Sequence, residues 1–599
     1  MTHTITANDT LAALLPTAVE RHADRLAVRH RDGAGWRDVS YAEVGERATA
    51  IALGLLDIGV AAGERVAILA TTRPEWTYAD FAISMAGGVA VPIYPTNSAQ
   101  ECEWVLADAD AVAVICEDAA QVEKVSGVRT RLPQLRTIIS VDPVDSTDPA
   151  APAGPDPVMS LDDLTARGRT RDPQELEQRM SDVRGDHPYT FIYTSGTTGP
   201  PKGCVLSHAN FRAVLDMVRE RDLLADRDDL TYLFLPLAHA LALIMQLATI
   251  EAGGAIAYFG GDPRAILPEL AGVRPTFLPS VPRIFEKVYA AVTSAIDAET
   301  LRAAVEVGGA VEDLRHRGSP IPVELEARYC EFDAQLFSRV RGAFGGRIRL
   351  AITGAAPVAP EILEFFWASG VPVMEGYGMT ETASAISICT LDEHRFGTVG
   401  KPLPSVEVRI AEDGEILVRG RNVFRGYHKR ADTTAFGAVE DGWLHTGDLG
   451  ALDEDGYLSI TGRKKDIIIT AGGKNLAPAN LENDLKRSRW ISHAVMHGDR
   501  RPYPVMLITL DEEQIGPWAQ ERGLPTDAAR LAHDPAVRDL IQGELDRANA
   551  QYARVEQAKR FAILGRDLSQ EGGELTPTLK VRRSVVNEKY SALFDALYA

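Results

Sequence analysis

The chain has 599 residues and a mass of 64.9 kDa, with 63 Lys and Arg against 84 Asp and Glu, a net charge of −21, and 45% hydrophobic residues. This composition excludes global disorder and supplies ample material for a buried core. The acidic balance also argues against nucleic acid or anionic lipid held by a general Lys/Arg excess. At about 150 residues per domain, the length allows up to four domains, or one large body and a smaller one.

The charge is unevenly spread. From Arg463 to the end, 21 Lys and Arg face 19 Asp and Glu, a net of +2, which leaves −23 on residues 1–462. The last quarter therefore reads as a separate domain. Cys102, Cys116, Cys204, Cys330 and Cys389 are far apart, with no Cys-x-x-Cys and no His at metal-ligand spacing, so neither a disulfide framework nor structural zinc is expected. The N-terminal stretch lacks the basic region, apolar run and cleavage site of a secretory signal. The expected address is the cytoplasm, with peripheral contact at the inner membrane surface left open.

In chain order, Tyr41 to Ile58 reads as a helix, Arg65 to Leu69 as a strand, Trp76 to Ala86 as a helix and Val89 to Ile93 as a strand. A second unit follows, with a helix from Ala99 to Ala107 and a strand from Ala111 to Ile115. Such alternation predicts βαβ crossovers and a parallel sheet covered by helices. Residues 142–158, rich in Pro, Asp and Ala, read as a loop or short linker, and a further α/β body runs from about Asp186 to Ile388. Within it, Leu230 to Ile250 is long enough to span about 30 Å of hydrocarbon. Pro236, His239 and Gln246 interrupt it, however, so a buried strand end followed by a helix is expected. Residues 290–345 read as an inserted helical pair, and from Ser405 short strands alternate with turns at Asp413-Gly414, Asp441-Gly442 and Asp455-Gly456.

The most informative stretch is Tyr193-Thr194-Ser195-Gly196-Thr197-Thr198-Gly199-Pro200-Pro201-Lys202-Gly203, directly after the apolar Tyr189 to Ile192. Three glycines let backbone N–H groups turn inward, four hydroxyls add donors and one lysine supplies a point charge, the parts of an anion cradle. It is not a Walker A loop: Pro201 stands where the second Gly is needed, and no Ser or Thr follows Lys202.

This loop resembles the signature of the adenylate-forming acyl-activating enzymes, the superfamily of acyl-CoA synthetases, luciferases and peptide-synthetase adenylation domains. The family pattern recurs, in order, at Gly354-Ala355-Ala356-Pro357, at Glu375-Gly376-Tyr377-Gly378-Met379-Thr380-Glu381 and at Leu444 to Leu449. It continues at Gly462 to Asp466 with Thr470 to Asn475, and at Leu575 to Lys580. The resemblance implies an α/β fold: a large N-terminal body over residues 1–462, made of two α/β layers and a small β-barrel-like subdomain, a hinge at 463–466, and a small mobile α+β domain over 467–599.

It also implies roles. Thr194 to Gly199 and Lys202 would hold the ATP phosphates that leave as pyrophosphate. Gly354, Ala355 and Ala356 would line the adenine with backbone, Tyr377 would stack on it, and Glu375, Gly376 and Gly378 would complete the nucleotide contacts. Thr380 would bind the α-phosphate, and Glu381 would ligate Mg²⁺ with Thr194 as a second contact. Asp448 would accept from the ribose hydroxyls, with Arg463 reaching ribose or phosphate and Lys474 contacting phosphate. Lys580 would be the catalytic lysine bridging substrate carboxylate and α-phosphate, Lys465 the pivot, and Gly472 and Gly473 the wall of the CoA thiol channel.

The acyl pocket is implied at Leu235 to Met245, including Ala238 and His239, where no Asp stands to anchor an amino group. His239 reads equally as a pocket border or as a satisfied core histidine. The apolar wall favours a long chain, at about 0.8 kcal/mol per buried CH₂. ATP, Mg²⁺ and CoA are the implied cosubstrates and metal, and a long-chain fatty-acyl-CoA synthetase is the implied activity. A fatty-acyl-AMP ligase serving a carrier protein is the alternative, with a non-catalytic nucleotide-binding scaffold and a luciferase-like oxygenase further off. A homodimer is left open, and Pro200-Pro201 departs from many relatives.

Overall fold

A computed structural model of the chain describes residues 10–33, 35–144, 158–194, 200–223, 228–294, 296–430, 439–472, 474–576 and 580–599. The expected N-terminal units are present. Helix Tyr41–Asp57 begins at a capping box in which the Ser40 hydroxyl accepts from the Glu43 amide and the Glu43 carboxylate accepts from the Ser40 amide. Strand Arg65–Leu69, helix Pro74–Met85, strand Val89–Ile93, helix Ala99–Asp108 and strand Ala111–Cys116 follow. Most of the expected linker, residues 145–157, lies outside the described residues.

Among the described residues, these strands join a seven-stranded sheet in the order 159–160, 137–140, 111–116, 65–69, 89–93, 188–194 and 202–207. All neighbours are parallel except the last pair. A nine-stranded sheet runs 401–402, 387–388, 373–377, 350–353, 277–280, 230–233, 255–258, 26–32 and 35–40, parallel in its centre and antiparallel at both edges. The largest apolar core joins one face of each sheet through helices 41–57, 74–85, 208–220 and 240–252. Separate cores cover the outer faces, one under helices 99–108 and 119–126 and one under helices 266–273, 282–293, 298–316 and 360–368. The body is thus a stack of helices, sheet, helices, sheet, helices, which buries both faces of each parallel sheet.

Leu230 to Ile250 is a strand, Leu230–Leu233, and part of a helix, Ala240–Ala252. Among the described residues, no helix is long and apolar enough to cross a membrane. The inserted helical pair is Ala298–His316 and a second run from Val323 to Ala343 with a π-helical segment, Asp333–Phe337, in its middle. After Ser405 comes an antiparallel five-stranded sheet of Glu407–Ile410, Glu415–Arg419, Val439–Glu440, Trp443–Leu452 and Leu458–Arg463. The three Asp-Gly turns fall between its strands, with Gly414, Gly442 and Gly456 at φ of 84°, 80° and 83°.

The C-terminal domain has its own core, packed between helices Pro478–Lys486, Glu512–Glu521 and Pro535–Asn549 and a three-stranded sheet of Ile491–His497, Val505–Leu510 and Phe561–Ile563. It is docked on the body through charged pairs: Arg283 with Asp511 at 2.7 Å, Lys287 with Glu513 at 3.0 Å, and Arg487 with Glu361 at 3.4 Å.

Between the two large sheets, the carboxyl of Asp80 is fully buried. One oxygen accepts from the Tyr189 hydroxyl at 2.7 Å and the Gln246 amide at 2.9 Å, and the other has no partner among the described residues. Burial raises its pKa to about 7. Because the folded value lies above the ordinary carboxyl range, this group's stabilising contribution is fully present below about pH 4 and is lost as pH rises through about 7. Asp80→Asn, which keeps the shape and the accepting oxygen, is expected to flatten this dependence. Urea unfolding should show the wild type losing on the order of a few kcal/mol relative to the variant between pH 5 and 8.

Candidate active site

The carboxyl ends of parallel strands are the usual location for ligand contacts in α/β folds, and Thr194, Gly354 and Tyr377 lie at such ends. Strand Leu350–Thr353 leads into Gly354, with Ala355 and Ala356 exposed beyond it, and Ala355 is held at a φ of +69°. Strand Val373–Tyr377 leads into a tight turn, Thr380–Thr382. A Cβ on Gly378 would lie 1.8 Å from the Ser384 carbonyl oxygen, so only glycine allows this turn to close. Gly376 carries the strand past Ile388, and Thr380 exposes a half-buried hydroxyl with no hydrogen bond among the described residues.

The five-stranded sheet supplies the facing wall. Asp448 and Arg463 are paired in register across strands Trp443–Leu452 and Leu458–Arg463, and the Arg463 Nε lies 2.9 Å from Asp448 Oδ1. The other carboxylate oxygen of Asp448 accepts from the Tyr377 hydroxyl at 2.7 Å. Burial, with the Asp448 charge adding to it, pushes the Tyr377 phenol well above its ordinary pKa, so it stays a donor. Glu375 is buried, accepts from the Val358 amide at 3.3 Å, and has its pKa raised by burial to about 8, which leaves it mostly a neutral acid at pH 7.

Glu381 is also buried, and burial raises its pKa. Its Oε1 accepts from the Tyr427 hydroxyl at 2.7 Å, and no Lys or Arg ion-pairs with it among the described residues. Among the described residues, no group of three His, Cys, Asp or Glu side chains stands ready to hold a metal. Mg²⁺ bound together with phosphates keeps several waters and needs only one or two carboxylates, so a buried carboxylate with no direct ion pair among the described residues fits it. Thr194 ends strand Pro188–Thr194 opposite Lys202, and the Lys202 ammonium lies 5.2 Å from the Tyr427 ring centroid. Ser195, Gly196, Thr197, Thr198 and Gly199, the rest of the expected phosphate loop, lie outside the described residues.

From the C-terminal domain, Lys580 enters this cluster. Its backbone is fixed by the Thr576 hydroxyl, which accepts from the Lys580 amide at 3.0 Å, and by the bridge between Leu575 and Val581. Burial first, then the Arg463 charge and that of Lys465, lower its pKa to about 8, partly opposed by Asp448 and Glu381. Lys465 is lowered in the same way, by burial and by Arg463. Its neighbour Lys464 points the other way, pairing with Asp413 at 2.6 Å and Glu415 at 3.0 Å on the body. His239 caps helix Ala240–Ala252, its Nδ1 accepting from the Leu241 amide at 3.2 Å. Burial, and the nearby Lys580 cation, depress its pKa to about 3, so it is neutral. Ala238, before it, is buried.

Gly472 and Lys474 do not join the cluster. Their turn is held within the C-terminal domain, by Thr470 with Lys474 and by Ala471 with Arg501, and the Lys474 ammonium lies 3.9 Å from Glu556. Gly473 lies outside the described residues. Tyr427, Lys464 and Glu415 are the contributors that the sequence did not single out. Gly426-Tyr427 in a turn-rich stretch offers no periodic signal, and Lys464 is eclipsed by its neighbours in the Arg463-Lys464-Lys465 run.

Strand ends that carry a paired Asp and Tyr, and a buried carboxylate near cations from two domains, make the arrangement of a nucleotide-activating enzyme. The AMP-binding enzyme family model matches residues 15–428, and the AMP-binding enzyme C-terminal domain model matches residues 465–599. The chain belongs to the AMP-binding enzyme family. It is 40% identical to the long-chain-fatty-acid–CoA ligase FadD15 of Mycobacterium bovis over 99% of this chain and 98% of that protein. It is 33% identical to the long-chain-fatty-acid–CoA ligase ACSBG2 of Xenopus laevis, over 98% of this chain and 84% of that one. The fold is shared with the adenylation domain of a carboxylate reductase from Mycobacterium chelonae, with a TM-score of 0.77, 23% identity, and 98% and 91% of the two chains covered. It is also shared with the Bacillus subtilis o-succinylbenzoate CoA synthetase bound to its acyl-adenylate, with a TM-score of 0.67, 21% identity, and coverage of 95% and 97%.

The convergence of cations has a direct readout. In ¹³C-dimethylated protein, the Lys580 resonance, identified by its loss in Lys580→Arg, is expected to titrate near pH 8. Arg463→Ala should move it upward. A midpoint in the ordinary lysine range for the wild type would contradict this geometry.

Proposed function

We propose that this protein is a long-chain fatty acid CoA ligase that activates its acid with ATP and passes the acyl group to CoA. The observation that carries the reading is Lys580, half-buried and brought from a separate domain to where the charges of Arg463, Asp448 and Glu381 act on it; the 40% identity to a named ligase over nearly the whole chain supports it. A carboxylate is a poor electrophile, since its charge repels nucleophiles and oxide is a very poor leaving group. In the first half-reaction a carboxylate oxygen bonds to the α-phosphorus, the bond from that phosphorus to the bridging oxygen breaks, and pyrophosphate leaves. In the second, the CoA thiol attacks the acyl carbon, loses its proton, and AMP departs.

The chain's own residues supply position and charge for the first step more than acid or base. Asp448 would accept from the ribose hydroxyls, Gly354, Ala355 and Ala356 would lie against the base with Tyr377, and Thr380 would donate to the α-phosphate. Lys202 and Lys580 would face the phosphates as cations, Lys580 also reaching the substrate carboxylate. Glu381, with Thr194, would hold Mg²⁺, whose chemistry is to neutralise and orient phosphate oxygens. Neutral His239 and buried Ala238 open the apolar helix Ala240–Ala252, consistent with a wall for a fatty chain.

The start of the C-terminal family match at residue 465 supports a hinge at 463–466. In the pose described, Lys580 is inserted and Lys474 is turned away, which fits the first half-reaction. A rotation about Lys465 would bring Gly472, Gly473 and Lys474 to the CoA side for the second.

Consumption of CoA thiol with palmitate and ATP tests the activity. Accumulation of acyl-AMP without thiol loss would instead mark a fatty-acyl-AMP ligase, and activity across acids of two to about twenty carbons should rise with chain length as each buried CH₂ adds affinity. Lys580→Ala is expected to lower adenylate formation about 10³-fold while sparing thioester formation from supplied acyl-AMP. Lys465→Pro, which restricts the pivot, should spare pyrophosphate exchange and suppress thioester formation. Equal loss of both half-reactions in either variant would remove the role assigned to that residue.

A further inference from the structure

The segment from Arg421 to His428 passes between the two charged poles of the site and is tied to both. Toward the Glu381 turn, the Phe424 amide donates to the Glu381 carbonyl at 2.8 Å, and the Asn422 side chain donates to the Ala385 carbonyl at 2.7 Å. Toward the lysine strand Lys202–Ser207, the Val205 amide donates to Gly426 at 3.2 Å, the His428 amide donates to Gly203 at 2.8 Å, and Tyr427 bridges to Cys204. The Asn210 side chain adds hydrogen bonds of 2.9 Å to the carbonyls of Arg421 and Val423.

Tyr427 is the one side chain of this segment that meets both poles. Its hydroxyl donates to Glu381 Oε1 at 2.7 Å, beside the Cys204 thiol that also hydrogen-bonds this carboxylate, and its ring faces the Lys202 ammonium at 5.2 Å. The ring is buried and braced edge-on by Phe424 at 4.9 Å. A hydrogen bond to a buried carboxylate fixes its direction, and a ring face beneath an ammonium limits where that ammonium settles.

We propose that Tyr427 is a positioning residue of the adenylation site: its hydroxyl orients the Glu381 carboxylate and its ring seats the Lys202 ammonium, so that one side chain sets the spacing between the metal-binding and phosphate-binding poles. This rests on the function proposed above, in which Glu381 serves Mg²⁺ and Lys202 serves phosphate. It separates the two contributions of the side chain. Tyr427→Phe removes only the hydroxyl, whereas Tyr427→Leu removes the hydroxyl and the ring.

Tyr427→Phe is expected to raise the Mg²⁺ concentration for half-maximal fatty-acid-dependent pyrophosphate exchange about tenfold. The KM for fatty acid should stay unchanged, and saturating Mg²⁺ should restore most of the rate. Without turnover, the gain in melting temperature from ATP with Mg²⁺ over ATP with chelator should shrink in the same variant. Tyr427→Leu should in addition raise the KM for ATP at saturating Mg²⁺. An unchanged Mg²⁺ curve in Tyr427→Phe, or a rate loss that saturating Mg²⁺ does not restore, would overturn the proposal and leave Tyr427 as packing. Should the wild type exchange pyrophosphate with no fatty acid, the proposed function fails, and the melting increment with Mg²⁺ and ATP still decides the role of Tyr427.

Discussion

The constraint on which the site depends is the convergence of the charges of Arg463, Lys465 and Lys580 on two buried carboxylates, Asp448 and Glu381. Like charges so placed repel, and the structure answers in two ways. Asp448 is locked between Arg463 and the Tyr377 hydroxyl, where it offsets one cation directly. Lys580 yields the rest, its pKa brought down to about 8. A site strained toward excess positive charge is completed by an anion, and a nucleotide triphosphate supplies several negative charges at once. Holding the cations in place before the ligand arrives avoids reorganising them during the reaction, which is the principal means of lowering a barrier to phosphoryl-type displacement.

The surrounding fold reads as the means of meeting that constraint. Parallel strands present their loops at their carboxyl ends, and residues 194, 239, 354 and 375–381 all lie at or just beyond such ends. The five-stranded sheet adds a pair that loops could not hold as firmly: a two-residue match of register places Asp448 opposite Arg463, and a slip by one would turn one of them away.

Much of this was legible in the sequence. The N-terminal helices and strands followed from apolar periodicity, the turns after Ser405 from the Asp-Gly steps, and the inserted helical pair from composition. Tyr377, Glu381, Asp448, Arg463, Lys465 and Lys580 were pointed to by motif resemblance, and the structure brings them together even though they come from segments nearly 200 residues apart. The remainder depended on tertiary placement. Nothing near Tyr427 in the sequence says that its hydroxyl meets Glu381, and nothing near His239 says that it caps its own helix within reach of the charge of Lys580 from another domain. Lys474 is held by a turn of its own domain and by Glu556, a placement that no local pattern encodes.

The ion pairs that seat the C-terminal domain, Arg283 with Asp511, Lys287 with Glu513 and Arg487 with Glu361, are half exposed, and such pairs each contribute little in water. Their attraction is screened by dissolved ions, whereas the apolar cores on either side are not. The joint is therefore the part of the molecule most sensitive to its ionic surroundings. Salt would loosen the seating of the C-terminal domain without unfolding either part, making ionic strength a handle on the joint that is separate from the stability of the two cores.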